Sequence, residues 1–187
     1  MYSRVRVFNS IIYYNRIEGD EEVDENTEGE ICIRGYNVAN GYLGDLEKNH
    51  AFRNGWFHSG DYGKKDSKGN FYFHGRQDSL IIKGGENIYP AEIENVLYSH
   101  PDIEECAVIG IPHKLLGEDI CVFIKIKNES QLTENGLKEF YKNKIADYKQ
   151  PQKIILINDL DDLTEIPKGP TKKILYRKLK EYYREKN

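Results

Sequence analysis

The chain has 187 residues, enough for one ordinary domain or for a small domain with part of another. Hydrophobic residues make up 39% and charged residues 31%, which is typical of a folded protein rather than a disordered one. The net charge of −4 excludes a global attraction to nucleic acid or to an anionic membrane. Lysines gather between Lys168 and Lys186 without the interleaved aromatic residues of a recognised motif, so we predict no nucleic-acid partner.

The cysteines and the apolar runs bear on the location of the protein. Cys32, Cys106 and Cys121 are far apart, and each lies in an apolar or alternating run, which indicates buried, reduced thiols. The first residues lack the apolar core of a signal peptide, and no run approaches the length of a membrane span. We therefore expect a cytoplasmic protein with no membrane span.

The first part of the chain is predicted to be rich in β structure. Residues 4–14 alternate, with Val5, Val7 and Ile11 separated by polar groups, which is the period of a half-buried strand. The acidic, turn-rich stretch 18–30 predicts an exposed loop, because too many like charges crowd there for a packed element. Three more features follow, namely a short strand, a Gly-rich segment and one short helical turn, at 31–34, 35–44 and 45–54.

A hairpin is predicted next, with arms at 62–65 and 71–74 around a turn at 66–70. After residue 77 the pattern changes to short strands alternating with amphipathic helices. Pro90 suits the first position of one helix, and Thr133 suits the N-cap of another.

The remaining elements are predicted from apolar runs: strands at 80–83, 106–111, 120–126 and 153–157, loops at 112–119 and 158–172, and a last helix at 174–183. The predicted fold class is α+β, a small mixed sheet flanked by helices and preceded by a β-rich subdomain.

Four stretches of sequence carry a family resemblance. They are G-E-I-C-I-R-G at 29–35 with G-Y-L at 41–43, G-W-F-H-S-G-D at 55–61, G-R-Q-D-S-L-I-I-K-G-G-E-N-I-Y-P-A-E-I-E at 75–94, and I-P-K-G-P-T-K-K-I-L-Y-R at 166–177. In order and in register, they resemble the later motifs of the adenylate-forming superfamily, which includes the acyl-CoA synthetases. The form G-G-E-N-I-Y-P is more similar to acyl- and aryl-CoA ligases than to peptide-synthetase adenylation domains.

The resemblance implies a particular domain organisation. Members of this superfamily have a large N-terminal domain and a small C-terminal lid that rotates between two half-reactions. The Gly/Ser/Thr-rich phosphate loop, the adenine pocket and the acid pocket belong to the large domain, and none of them occurs in this sequence. Residues 1–77 would be the partial, β-rich end of the N-terminal domain, and residues 78–187 the complete lid, with the protein's own N-terminal domain as its partner.

The resemblance also implies a reaction, the ATP-dependent joining of a carboxylic acid to CoA through an acyl-adenylate. ATP, Mg²⁺ and CoA would be the cofactors, with Mg²⁺ held mainly through ATP and the absent domain, and we predict no metal site in this sequence. The chain alone is expected to be inactive. Two alternatives stay open: a ligase that loads the pantetheine of a carrier protein, and a non-catalytic, lid-like module that binds a partner protein.

Three residues around the predicted boundary match positions with known roles in the family. Asp61 and Arg76 resemble the residues that bind the ribose of ATP or AMP, where a carboxylate and a guanidinium suit a diol. From the residues alone, Asp61 could instead cap local backbone, and Arg76 could form a surface ion pair. Asp78 matches the hinge residue, whose backbone torsions would change as the lid turns.

Two further positions lie within the predicted lid. Gly84 and Gly85 would let the pantetheine arm of CoA approach the backbone closely, although a plain hairpin turn needs the same residues. Lys173 resembles the catalytic lysine of adenylation, but it could also be one cation of a solvated basic tail. Lys172 stands where the family usually has Gly, which leaves the loop geometry and the choice between the two lysines open. His58 and His113 are interpreted as structural.

Overall fold

The computed structural model describes residues 11–16, 19–36, 38–44 and 47–186, with side chains from residue 22 onward. The chain divides into two compact units, Met1–Asp78 and Ser79–Asn187. Some of the sequence predictions fall on residues outside the described ranges: Val5 and Val7 of the first predicted strand, Glu18 of the acidic stretch, Asn37 of the Gly-rich segment, and the first two residues of the predicted helical turn at 45–54.

In the part of the first unit that the structure describes, six strands form one antiparallel sheet with the order β2-β1-β3-β5-β4, in which β6 also pairs with β5. The strands are β1 (Ile11–Arg16), β2 (Gly19–Glu22), β3 (Glu28–Arg34), β4 (Phe52–Arg53), β5 (Trp56–Lys65) and β6 (Phe71–Arg76). The hairpin predicted around 66–70 is formed by β5 and β6, and one turn of 3₁₀ helix precedes β4 at Lys48–Ala51.

The prediction of an exposed loop over 18–30 is wrong in part, because β2 and the start of β3 lie within it. Strand β2 is at the edge of the sheet, where its backbone pairs with one neighbouring strand only. The Glu22 carboxylate is half-exposed and lies 3.4 Å from the Lys65 ammonium. Like charges therefore do not exclude strand structure here, since the backbone pairs along one edge only.

The second unit contains a five-stranded sheet with the order β11-β10-β7-β8, in which β9 also pairs with β10. Its strands are β7 (Ile81–Lys83), β8 (Glu86–Ile88), β9 (Ile103–His113), β10 (Gly117–Ile126) and β11 (Lys153–Leu156), and its helices are α1 (Pro90–Leu97), α2 (Glu134–Tyr141) and α3 (Tyr176–Lys186). The pair β10–β11 is parallel and the other pairs are antiparallel. The predicted α+β class, a small mixed sheet flanked by helices, is confirmed.

Strands β9 and β10 bury both of their faces, and alternate residues belong to two separate apolar clusters. Cys106 and Val108 lie in the cluster that contains residues of α1 and α2. Ala107 and Ile109 lie in the other cluster, which contains Leu179 of α3. Continuous apolar runs are expected in strands that are covered on both sides, which explains why these segments lack period-two alternation.

The prediction of a loop over 112–119 is wrong in part, because β9 extends to His113 and β10 begins at Gly117, so that only residues 114–116 connect the two strands. The polar end of β10 is accommodated by specific partners. The Glu118 carboxylate accepts a hydrogen bond from the Ile82 amide at 3.0 Å, and Asp119 pairs with Lys83. Polar residues at a strand end look like a loop in sequence unless their partners on a neighbouring strand are known.

The helix-capping signals are confirmed. Pro90 occupies the first position of α1, and the Thr133 side chain accepts a hydrogen bond from the Gly136 amide at 3.2 Å. Helix α3 begins at Tyr176, two residues later than predicted, because Ile174 forms a β-bridge with Lys168.

All three cysteines are free and fully buried, as predicted. Burial raises the pKa of the Cys121 thiol to about 12 and also raises the pKa of the Cys106 thiol. Among the described residues, no helix combines the length and the apolar character that crossing a membrane would require.

Breaking the buried Lys83–Asp119 pair should destabilise the second unit. The ammonium and carboxylate lie 2.7 Å apart, with side chains only 15% and 5% exposed. Asp119→Ala leaves the Lys83 charge buried and unpaired, so we expect a loss of about 3–5 kcal/mol in the free energy of unfolding. The double variant Lys83→Met/Asp119→Leu should lose much less. Urea denaturation of both variants measures the difference, and equal losses would contradict this account of the pair.

Candidate functional site

The first unit brings together three residues that were predicted from two separate motifs. Asp61 on β5 lies opposite Arg76 on β6 in the antiparallel register. The Arg76 Nη1 group donates to Asp61 Oδ1 at 3.1 Å, and its Nε group donates to Asp78 Oδ1 at 3.2 Å. The Arg76 side chain is 53% exposed and the Asp61 side chain 35%, so polar atoms of both can reach a ligand. We call Asp61, Arg76 and Asp78 the carboxylate–arginine cluster.

Hydrogen bonds to β3 fix the backbone that carries Asp61. The Ser59 hydroxyl donates to the Ile31 carbonyl at 2.6 Å and accepts from the Asp61 amide at 3.0 Å. The Gly60 amide donates to Glu30 Oε1 at 3.0 Å. A ligand-binding carboxylate is most effective when its own position is set in advance, and these bonds do so through the backbone.

The paired strands β3 and β5 also contribute a buried group that the sequence analysis did not predict, formed by Glu30, Cys32 and His58. The ligand atoms of the three side chains lie within 4.8 Å of one another, and the three residue types are common metal ligands. His58 Nδ1 lies 2.8 Å from Glu30 Oε2 and 3.4 Å from Cys32 Sγ. The group is assembled by the register of β3 and β5, which places Cys32 opposite His58 across 26 residues of chain, so no local pattern in the sequence marks it.

The geometry of the Glu30–Cys32–His58 group favours a structural role. A Cys–His–acid nucleophile needs one ring nitrogen for the thiol and the other for the acid, whereas here Nδ1 faces both. Both oxygens of Glu30 already have hydrogen-bonding partners: Oε1 accepts from the Gly60 amide, and Oε2 lies 2.8 Å from His58 Nδ1. The interpretation of His58 as structural agrees with these contacts, and the prediction that the sequence encodes no metal site stays a prediction.

In the second unit, Gly84 and Gly85 form a two-residue hairpin turn between Lys83 and Glu86. Their φ angles are +62° and +89°, and a type I′ turn has positive φ at both of its central positions. The Gly84 amide donates to the Leu116 carbonyl at 2.9 Å, which fixes the turn against the β9–β10 connection. A Cβ atom on Gly85 would meet no atom within 4 Å, so the outer side of the turn is open.

Lys173 lies in a small hairpin that precedes α3. The Lys172 amide donates to the Gly169 carbonyl, and the Gly169 amide donates to the Lys173 carbonyl, both at 2.9 Å. This pattern is a β-turn followed by one left-handed residue, with Pro170 at the second position, where its fixed φ is favourable. We call residues 168–174 the lysine hairpin. Its Lys173 side chain is exposed.

Lys172 has a φ of +61° and occupies the left-handed position of the lysine hairpin. Glycine adopts this conformation without strain, whereas a Cβ atom costs roughly 1–2 kcal/mol. The lysine hairpin thus holds Lys172 in a conformation that Gly, the residue implied at this position by the family resemblance, would adopt without strain.

Comparison with known proteins agrees with the four motifs. Residues 92–173 match the family model of the AMP-binding enzyme C-terminal domain. The chain is 41% identical over 168 residues to 2-succinylbenzoate–CoA ligase of Geobacillus sp. (strain WCH70), covering 89% of this chain and 33% of that protein. The chain belongs to the adenylate-forming superfamily and corresponds to its C-terminal portion.

Two other members of the superfamily show the range of the match. The medium-chain acyl-CoA ligase ACSF2 of Rattus norvegicus mitochondria is 38% identical over 143 residues, covering 75% of this chain and 23% of that protein. O-succinylbenzoate CoA synthetase (MenE) of Bacillus subtilis, solved with the acyl-adenylate intermediate OSB-AMP, matches with a TM-score of 0.83 and 33% identity, covering 93% of this chain and 34% of that one. The same enzyme has been solved with ATP and a magnesium ion. The chain spans about a third, or less, of the length of these relatives.

Replacing Lys172 by Gly should stabilise the second unit. The change removes the strain of a Cβ atom at positive φ, offset in part by the greater freedom of Gly in the unfolded chain, so we expect a gain of about 0.5–1 kcal/mol. Lys172→Ala keeps the Cβ atom and is the matched control, with stability near that of the unchanged protein. Chemical denaturation measures both, and an equal gain in the two variants would show that charge rather than backbone strain is responsible.

Proposed function

We propose that this chain is the C-terminal part of an ATP-dependent acid–CoA ligase. In the first half-reaction, an oxygen of the acid's carboxylate attacks the α-phosphorus of ATP, and the bond to the leaving pyrophosphate breaks. In the second, the thiol of CoA loses its proton and attacks the acyl carbon, and the bond from that carbon to AMP breaks. The relatives named above are CoA ligases that take different acids, so they support the class of reaction and leave the acid open.

The observation that carries the proposal is the carboxylate–arginine cluster. Asp61 and Arg76 come from separate motifs, lie 3.1 Å apart, and keep exposed polar atoms. The Asp61 carboxylate can accept hydrogen bonds from both hydroxyls of a ribose, and such charge-assisted bonds are stronger than neutral ones. Arg76 holds the carboxylate in place and presents further donors to the nucleotide. In this role the pair binds ATP in the first half-reaction and AMP in the second.

Magnesium would enter with the nucleotide rather than at the cluster. The carboxylates of Asp61 and Asp78 both face the Arg76 guanidinium, whose positive charge disfavours a divalent cation between them. The described residues of the cluster therefore do not fit a magnesium site of their own. This fits the expectation that ATP and the N-terminal domain hold the ion, where it would neutralise phosphate charge.

The two turns of the second unit would serve different half-reactions. The Gly84–Gly85 turn has an open outer side, so a pantetheine arm can pass close to its backbone. In the lysine hairpin, the ammonium of Lys173 is exposed and would offset negative charge as the carboxylate attacks phosphorus. Asp78 would be the hinge about which the lid turns between the two half-reactions, because it lies at the last position of the first unit.

Lys173→Ala in the full-length ligase should abolish most of the first half-reaction. Removing one preorganised group that stabilises transition-state charge typically costs about 100- to 1,000-fold in rate. The assay is acid-dependent exchange of labelled pyrophosphate into ATP against a panel of acids, with thioester formation from supplied acyl-adenylate as the second readout, which should survive. Lys172→Ala is the control and should exchange at the normal rate.

Each outcome of this assay is informative about the proposal. If pyrophosphate exchange is lost in Lys172→Ala but not in Lys173→Ala, then Lys172 rather than Lys173 is the lysine that serves adenylation. No exchange by the unchanged full-length protein with any acid would contradict the ligase and favour a module that binds a partner protein. The chain alone should show no exchange, because its sequence has no phosphate-binding loop.

Asp78→Pro should impair one half-reaction far more than the other. Proline fixes φ near −65°, so a residue whose torsions change between two lid positions would favour one of them. Asp78→Ala is the matched control, since it removes the contact with Arg76 and leaves the backbone free. Separate assays of pyrophosphate exchange and thioester formation measure the ratio. Equal losses of both activities would rule out the hinge role.

A further inference from the structure

The Glu94 side chain lies where α1, β9 and the start of α3 meet. Glu94 Oε1 accepts a hydrogen bond from the Val108 amide at 2.9 Å and one from the Tyr176 hydroxyl at 3.0 Å. Glu94 Oε2 is 3.2 Å from the same hydroxyl. One carboxylate therefore joins residues of all three elements, and Glu94 and Tyr176 are 82 positions apart in the chain.

Burial makes this contact strong. Burial raises the pKa of the Glu94 carboxyl, and the hydrogen bonds from Val108 and Tyr176 oppose that shift. Burial, together with the neighbouring Glu94, raises the pKa of the Tyr176 hydroxyl, so this group remains a donor at neutral pH. Hydrogen bonds that are shielded from water are electrostatically stronger than exposed ones, and breaking one leaves a buried group unsatisfied.

Tyr176 is the first residue of α3 and follows Lys173 by three positions. Backbone contacts make the intervening segment stiff, since Ile174 is bridged to Lys168 and the Leu175 amide donates to the Pro167 carbonyl at 2.8 Å. A shift of the Tyr176 ring would therefore move the arm that carries Lys173.

The other arm of the lysine hairpin has its own side-chain contact with the sheet. The Lys168 ammonium pairs with the Glu105 carboxylate on β9. Each arm of the lysine hairpin is thus held by one carboxylate: Glu105 holds the arm that precedes the turn, and Glu94, through Tyr176, holds the arm that follows it. Glu105 forms an ion pair with Lys168 at the protein surface, where such pairs contribute little to stability. Glu94 instead accepts a hydrogen bond from the partly buried hydroxyl of Tyr176.

We propose that Glu94 is a positioning residue for adenylation, which fixes the direction of the Lys173 side chain through its hydrogen bond to Tyr176. This inference rests on the proposed role of Lys173. It also connects the two turns of the second unit, because α1 follows the Gly84–Gly85 hairpin directly and Glu94 lies on α1. The same helix thus fixes the lysine hairpin from a distance, without contact with the substrate.

Tyr176→Phe is the main test, in the full-length ligase. The variant keeps the ring and loses the hydroxyl, so the fold should survive while the lysine hairpin is held less well. We expect the kcat of pyrophosphate exchange to fall about 10- to 100-fold, because small displacements of a catalytic group have effects of this size. The KM values for ATP and acid, and thioester formation from supplied acyl-adenylate, should stay within about twofold, since a kcat effect alone marks lost transition-state stabilisation.

The chain offers matched controls. Tyr182→Phe removes a hydroxyl from the same helix that donates to Asp162 at 2.7 Å, away from the lysine hairpin, and should leave exchange unchanged. Glu94→Gln keeps an oxygen that can accept from both Val108 and Tyr176, so it should retain most of the activity, whereas Glu94→Ala should behave like Tyr176→Phe. Thermal unfolding of each variant shows whether the second unit is still folded.

A readout that does not depend on catalysis completes the test. Trypsin cleaves after lysine, so peptide mass spectrometry can follow cleavage after Lys172 and Lys173 in the folded chain. We expect faster cleavage there in Tyr176→Phe and Glu94→Ala than in Tyr182→Phe, with other lysine sites unaffected.

The outcomes separate this inference from the proposed function. If Lys173→Ala abolishes exchange but Tyr176→Phe behaves like Tyr182→Phe, the positioning role is wrong and the ligase proposal stands. Equal losses in exchange and thioester formation would overturn the positioning role in favour of general destabilisation. If Lys173→Ala exchanges normally, the catalytic role of the lysine fails, and the positioning role fails with it.

Discussion

The β9–β10 hairpin has to bury both of its faces, and the arrangement of the second unit follows from that requirement. Val122 and Ile124 point into one apolar cluster, and Cys121 and Phe123 point into the other. Helices α1 and α2 contribute to the first cluster, whereas α3 contributes to the second. Burial of alternate residues on opposite faces thus requires a helical layer on each side of the sheet.

The two candidate turns take their positions from these helical layers. The Gly84–Gly85 hairpin leads into β8 and then α1, and the lysine hairpin leads directly into α3. Each helix packs on a different face of the same sheet, so the turn before it is placed by the packing of apolar side chains. The polar contacts of Lys83 and Glu94 then refine positions that hydrophobic burial has set. Loss of packing in the sheet would therefore disturb both turns together.

Local sequence patterns were sufficient for most of the elements. Apolar runs predicted β9, β10 and β11, and Pro90 and Thr133 marked helix starts, because strand burial and helix capping depend on neighbouring residues. Errors arose where a distant partner decides the outcome. The polar end of β10 is a strand because Lys83 and the Ile82 amide satisfy it, and the acidic β2 is a strand because it pairs with β1 at the sheet edge.

The candidate site residues were predictable from the sequence, whereas the contacts around them were not. Motifs indicated Asp61, Arg76 and Lys173 one at a time, since each stands in a short, recognisable pattern. Their surroundings could not be predicted, because they depend on strand register and on contacts across many residues of chain. The Glu30–His58 contact needs the pairing of β3 with β5, and the Glu94–Tyr176 contact needs α3 to return to the sheet. Side-chain networks of this kind become visible only when the fold is known.

The burial of every cysteine has a practical consequence for observing motion. Cys32, Cys106 and Cys121 are fully buried, and burial holds the thiols of Cys106 and Cys121 in their unreactive protonated form. Maleimide dyes react with exposed thiolates, so we expect them not to label the three native cysteines of the folded chain. A single cysteine introduced at an exposed position, such as Lys114 on the β9–β10 connection, could carry a fluorophore without removal of any native thiol. The dense packing of the core thus leaves the surface free for spectroscopic probes.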